Sequence, residues 1–410
     1  MSRTTTYVIV GAGLAGAKAA EALRDNDFDG HIVLIGAEEL LPYERPPLSK
    51  EFLAGKKGLE EFTVHNAAWY RDHDVELRLG TEITGIERPK QAVTLPDGEA
   101  LSYDKLLLAT GSRSRRPKLT GAGADRVYYL RTYPDAEAIS AALTDGAALG
   151  IVGGGWIGLE VAAGARDRGV AVTVVEAAEL PLLGAMGPEM AQVFADLHRE
   201  HGVDLRCKTG VAEITTIGNT ASGLALDDGA GVAADAVLVA VGAAPNIEIA
   251  EAAGLQMADG GVAVDASLRT SDPNIYAVGD IAAAEHPLLD TRIRTEHWAN
   301  ALKQPPVAAA AMMGRHAVYD ELPYFFTDQY DLGMEYVGHS AGYRKVLTRG
   351  DVKGREFTAF WLDGDDRVLA GMNVNVWEGL DDIKAVIRNR RPVDTGKLTD
   401  PDQPLAGVGT

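Results

Sequence analysis

Two stretches of this chain carry residue types at spacings suited to holding phosphates. Gly11, Ala12, Gly13, Leu14, Ala15 and Gly16 form one G-x-G-x-x-G, and Gly153, Gly154, Gly155, Trp156, Ile157 and Gly158 form a second. The first glycine of such a pattern suits a tight turn, the second lets backbone approach a pyrophosphate, and the third lets a helix lie close to a strand. The helix that follows aims its free N–H groups at the phosphates. Ribose hydroxyls need a carboxylate at the end of the next strand, and Glu176 stands there after the second turn. After the first turn the sequence reads Ile35-Gly36-Ala37-Glu38, so the acid comes two residues late. Glu38 is the ribose candidate, the plain alternative being a solvated loop carboxylate.

Three other segments bring groups to the same kind of site. Leu41 to Lys50 is too rich in proline for a strand and reads as a rigid loop running into a helix, with Ser49 as its N-cap. Its cations Arg45 and Lys50 could face a phosphate or a flavin ring, or simply flank a surface turn. Tyr103 to Gly111 reads as an apolar strand ending in Ala109-Thr110-Gly111, a backbone able to pass close to a ligand. Ile275 to Asp280 is an apolar strand that delivers Gly279 and Asp280 to the edge where open parallel sheets bind ligands. Asp280 is a candidate for a ligand hydroxyl, or else a helix cap.

The elements that must position these groups are legible. Tyr7 to Val10 and His31 to Ile35 are strands around a helix with Ala15, Ala19, Ala22 and Leu23 on one face. Ala148 to Gly153, Leu159 to Arg168 and Val170 to Val175 repeat that βαβ unit. Between them lie a meander through Ile83 to Leu95 and a basic linker, Ser112 to Pro117. The run Gly242 to Asn246 reads as the return to the first domain, with Gly242 among the cofactor-side candidates. From Pro323 onward the texture turns aromatic and alternating, with strands at Glu335–Gly338, Phe357–Leu362 and Val368–Val374, a helix over Gly379–Arg390 and a loose tail after Pro392. The fold class is α/β, with two Rossmann-like dinucleotide-binding domains in a glutathione-reductase-like arrangement plus a C-terminal α+β domain. We assign 1–111 and 245–322 to the first dinucleotide domain, 112–244 to the second and 323–410 to the third.

With 410 residues, 46% hydrophobic and 24% charged, the composition is that of a globular protein. A formal charge of −20 disfavours nucleic acid and anionic membrane as partners. No apolar run is long enough to span a bilayer, and a cytoplasmic protein is expected. The oligomeric expectation is a monomer or weak dimer. Cys207 is the single cysteine, placed by its surroundings in a strand, and it excludes both a disulfide framework and an internal dithiol. No metal-ligand cluster is expected.

The order GAGLAG, PYERPPLSK, ATGS, GGGWIGLE, VVE, VGAAPN and YAVGD, followed by YFFTDQYDLGMEYVG, resembles the FAD-dependent NADH:ferredoxin reductases of bacterial oxygenase systems. The likeness covers nearly the whole chain, and RPPLSK and the aromatic C-terminal segment are its selective parts. It implies FAD in the first domain and NADH in the second. It further implies a flavin in reach of Ala15, Lys50, Ile83, Arg131, Asp280 and Trp298, and NAD in reach of Gly155, Ile157, Glu160 and Glu176. Trp156 stands where the family pattern leads us to expect phenylalanine. By resemblance Lys50 and Glu160 lie beside the nicotinamide–flavin stack, where their charges predict an ion pair, and Trp298 closes the other side of the ring. Electrons would leave singly to a [2Fe–2S] ferredoxin serving a cytochrome P450 or an aromatic-ring dioxygenase. Such carriers are usually acidic, so a local cationic patch is needed, with Arg292, Arg294 and Lys303 as candidates. The cysteine count excludes a glutathione-reductase dithiol, and Pro46 and Leu48 stand where a coenzyme A disulfide reductase needs its cysteine. A monodehydroascorbate reductase and an apoptosis-inducing-factor-like partner-binding flavoprotein are the surviving alternatives.

Overall fold

A computed structural model describes residues 4–409. The chain divides into two compact units, the first made of residues up to Glu44 with Leu59–Arg113 and Ala244–Tyr324, the second of Arg45–Gly58, Ser114–Ala243 and Phe325–Thr410. Arg45–Gly58 thus groups with the second unit, although the sequence reading put it in the first domain.

The first unit is built on a five-stranded parallel sheet in the order Ile275–Ala277, Lys105–Leu108, Thr6–Val10, His31–Ile35, Val75–Arg78. Its strands are apolar without alternation because both faces are covered. Val8, Ile9, Val33, Leu34, Leu106 and Leu107 are all fully buried in one core. The helix Leu14–Asp25 follows the first glycine turn. A second long helix, Trp298–Met312, carries Pro305 and Pro306 in its interior. The meander resolves into Gly85–Glu87, Ala92–Thr94 and Ala100–Ser102.

The second unit repeats the plan with a parallel sheet ordered Asp204–Arg206, Ala171–Val175, Ala148–Val152, Ala236–Val239, Val127–Tyr128. A further five-stranded sheet runs Tyr324–Gln329, Leu332–Gly338, Val368–Val374, Glu356–Leu362, Lys345–Asp351. That sheet shares a core with the helix Pro188–Glu200. Met190, Phe194 and Leu197 pack with Met334, Phe357 and Trp361, and the Trp361 indole N–H donates to the Met186 carbonyl at 3.0 Å.

Three local expectations are corrected and one strand is added. Ser49 caps no helix: Pro46–Ser49 is a 3-10 turn followed by further turns, and the Ser49 hydroxyl donates to the Glu160 carboxylate instead of serving a helix N-terminus. Cys207 lies just beyond the strand Asp204–Arg206 and is half-buried, with its thiol pKa raised by burial. The strand Lys345–Asp351 is additional, legible only through its pairing with Glu356–Leu362. The tail after Pro392 is ordered, since Asp394 caps a short helix, Thr395–Thr399, and Val393 bridges Gly409.

Candidate functional site

In the first unit, the glycine turn leaves the end of the strand Thr6–Val10. The Gly11 N–H donates to the Ile35 carbonyl at 2.8 Å, and Gly11 sits at φ +115°, where a Cβ would lie 2.0 Å from the Ala109 carbonyl oxygen. A Cβ on Gly16 would lie 2.0 Å from the Gly11 carbonyl oxygen, so both of these glycines are demanded by the protein's own backbone. Gly13 differs. It caps the helix at an ordinary φ of −96°, and nothing lies within 4 Å of a Cβ built there. No side chain caps the helix, and its first turn holds no acid.

The same sheet edge gathers the other candidates of this unit. Ala109 and Thr110 border Gly11, the Gly111 carbonyl accepts from the Asn246 N–H at 2.8 Å, and the Thr110 hydroxyl donates to the Asn246 carbonyl at 2.7 Å while the Asn246 amide returns a bond to the Thr110 carbonyl at 2.9 Å. Asn246 was not singled out from sequence. Gly279 lies 3.7 Å from Ala15 when given a Cβ, and its N–H donates at 2.7 Å to Gln304, a fully enclosed amide that fixes the turn carrying Asp280. Gln304 also escaped the sequence reading, although a glutamine beside two prolines inside a helix is an unusual choice for a buried position.

The second turn has the same geometry. Gly153 (φ +102°) donates to the Val175 carbonyl at 2.9 Å, and its Cβ would lie 2.5 Å from the Ala240 carbonyl. Gly158 would press on the Gly153 carbonyl at 2.3 Å, whereas a Cβ on Gly155 meets only one atom, 4.0 Å away. Glu176 directly follows the strand and is oriented by two backbone donors, Gly154 N–H at 2.7 Å and Ala178 N–H at 2.8 Å. Two apolar side chains at this sheet edge, Ile157 (38% exposed) and Val241 (39%), are left facing solvent, with Gly242 beside the latter.

The two turns explain where their acids sit. By register Gly36 corresponds to Glu176, since Ile35 and Val175 each accept from the first glycine. A Cβ on Gly36 would fall 2.4 Å from the Ala12 Cβ. In the second unit the small residue is Gly154 instead, which leaves room for Glu176. Ala12 thus displaces the first acid to Glu38, whose carboxylate accepts from the Tyr43 hydroxyl at 2.5 Å.

Lys50 and Glu160 form the ion pair expected, with Nζ 2.7 Å from Oε1 and side chains 10% and 7% exposed. Glu160 lies on the buried side of the helix Trp156–Asp167, and Lys50 ends the 3-10 turn Pro46–Ser49. The carboxylate also accepts from the Thr327 hydroxyl at 2.6 Å and, through Oε2, from the Ser49 hydroxyl. The Lys50 ammonium lies 5.2 Å from the centre of the Phe326 ring, a favourable cation–π position. Nearby Asp328 has its pKa raised by burial, against the pull of Lys50. Trp156 packs edge-on against Phe194 and Phe325 at 5.4 and 4.9 Å, so its extra ring is absorbed by the core.

The remaining candidates are placed as follows. Trp298 donates its indole N–H to Glu44 at 2.9 Å in the first unit. Arg45 donates to the Arg131 carbonyl in the second. Ile83 is buried in the first core. The cationic patch proves weaker than expected. Arg292 is tied to Glu285 at 2.6 Å and to the Val264 and Ala283 carbonyls, and Arg294 is paired with Glu296 at 2.8 Å, leaving Lys303 as an exposed cation.

Both turns fit the pyrophosphate of a dinucleotide: each keeps its outer glycines for the fold and its middle glycine for nothing in the protein, at the uncapped N-terminus of a twelve-residue helix. A chain with two such cradles has the build of a two-dinucleotide oxidoreductase. The comparisons agree, for residues 5–305 match the pyridine nucleotide-disulphide oxidoreductase family model, and residues 324–408 match the reductase C-terminal model. The chain belongs to the pyridine nucleotide-disulphide oxidoreductase family. It is 43% identical to the ferredoxin–NAD(+) reductase component of the anthranilate 1,2-dioxygenase system of Burkholderia cepacia, covering 98% of each chain. It is 40% identical to putidaredoxin reductase of Pseudomonas putida, over 100% of this chain and 97% of that one. Its structure superposes on the reductase in the covalent putidaredoxin reductase–putidaredoxin complex with a TM-score of 0.95 at 38% identity, covering 99% of this chain and 98% of that one.

Proposed function

We propose that this protein is an NADH-dependent, FAD-containing reductase that hands electrons to a ferredoxin of the [2Fe–2S] type serving an oxygenase. The observation that carries the reading is the pair of cradles whose middle glycines are held open, in a chain whose lone cysteine leaves no dithiol acceptor. Bound FAD supplies two-electron acceptance from NADH and one-electron release to the carrier. The first turn, with Ala109–Gly111, Gly279 and Asp280, binds the flavin dinucleotide, and the second turn, with Ile157 and Glu176, binds NADH. Lys50 is the cation that stabilises negative charge on the ring system. Glu160 holds Lys50 in place. A carboxylate has about four acceptor positions, and Lys50, Thr327 and Ser49 take three, which leaves one for the amide N–H of the nicotinamide.

Replacing Glu160 with glutamine keeps the shape and removes the charge. Anaerobic stopped-flow mixing of the holoenzyme with saturating NADH should show flavin reduction slowed by about tenfold or more with FAD still bound, the size expected when one charged contact to the reacting pair is lost. Reduction at the wild-type rate would remove Glu160 from the site.

A further inference from the structure

A line of buried polar side chains runs from Glu160 into the second unit's core. Thr327 (1% exposed) donates to Glu160, Gln329 (1%) donates through Nε2 to the Thr327 oxygen at 3.1 Å, and His198 (0%) contacts the Gln329 Oε1 at 2.8 Å. Because the Gln329 amide nitrogen is used on Thr327, its oxygen faces His198, and the histidine must carry its proton on Nε2. Nδ1 is then left to accept from the Tyr330 hydroxyl, 3.4 Å away. Every donor in the line points toward the carboxylate. His198 is kept neutral, its pKa pushed down to about 4 by burial, so it donates one proton to the line without adding a charge.

We propose that Thr327, Gln329 and His198 are positioning residues that fix the Glu160 carboxylate, and through it the Lys50 ammonium. The inference rests on the role given to Glu160 above. Three elements converge to make the line: the helix Pro188–Glu200, the strand Tyr324–Gln329 and the helix Trp156–Asp167. His198 falls on the apolar stripe of its helix with Met190 and Phe194, and Thr327 and Gln329 share a strand face with Phe325. Apolar residues at these three positions would satisfy the core without any hydrogen bond, whereas buried polar groups are costly unless paired. The one group at the end of the line that needs a donor is Glu160. The C-terminal strand thereby supplies part of the setting of a residue on the glycine-turn helix.

The test is anaerobic stopped-flow reduction of holoenzyme by NADH for Thr327→Val, Thr327→Ser and Gln329→Met, with Glu160→Gln alongside. Thr327→Val should lower the limiting rate by about fivefold, the factor one lost hydrogen bond is worth, while Thr327→Ser stays within about twofold of wild type. Gln329→Met keeps the volume and breaks the line one step back, so it should slow the same step; it carries the comparison if Thr327→Val does not fold. A rate loss shared by Thr327→Ser overturns the proposal, because the hydroxyl is then not what matters. Wild-type rates in Thr327→Val and Gln329→Met with a slow Glu160→Gln overturn the positioning role alone. A wild-type rate in Glu160→Gln overturns both the positioning role and the role of Glu160.

Discussion

Within each glycine turn the three glycines answer to different demands. Gly11 and Gly16 are required by a positive φ or by backbone lying 2.0 Å from a would-be Cβ, and Gly13 by nothing in the protein. Gly13→Val should therefore leave the unfolding free energy of the apoprotein within about 1 kcal/mol of wild type, the loss typical of a weaker N-cap, and purify without yellow colour. Gly11→Ala should instead destabilise the fold itself, by about 2 kcal/mol or more, from left-handed strain plus collision with Ala109. Equal loss of stability in the two variants would contradict this division. Residue patterns made the cradles readable, since glycine spacing reports backbone geometry directly. They did not explain why Glu38 comes late, because that depends on one Cβ, at Ala12, facing Gly36 across two strand ends. Nor did they find Gln304, Asn246 or His198, which matter through partners distant in sequence.

At the scale of elements, the strand ending in Glu176 and the turn it grips act together. Glu176 ties down the Gly154 N–H, so the carboxylate is fixed beside the second turn rather than swinging in solvent. A carboxylate so held accepts from both hydroxyls of an adenosine ribose and repels a 2′-phosphate. Kinetics with both cofactors should show NADH preferred. Glu176→Gln should raise relative use of NADPH by about tenfold or more as that repulsion is removed. A native preference for NADPH, or no change in the ratio, would contradict the assignment. The βαβ units were legible because their apolar runs and turns are local signals. The 3-10 turn at Pro46–Ser49 and the ordered tail were not, since both are fixed by contacts far along the chain: Ser49 on Glu160, and Val393 on Gly409.

For the molecule as a whole, the net charge of −20 sets a condition on its partner. An acidic carrier is repelled at long range, so the encounter needs local cations, and Arg292 and Arg294 are already bound to Glu285 and Glu296. Among the described residues no helix is long and apolar enough to cross a membrane. With one cysteine in the chain, electrons entering from NADH have the flavin as their way out to another protein. The most direct test is an anaerobic assay of the purified holoenzyme with NADH and a [2Fe–2S] ferredoxin from the same cells, following flavin and iron–sulfur absorbance together. The account predicts rapid flavin reduction, catalytic reduction of ferredoxin and one NADH consumed for each two ferredoxins reduced. Persistence of a reduced, NAD-bound flavoprotein that transfers nothing to any ferredoxin, while ferricyanide is still reduced, would contradict it.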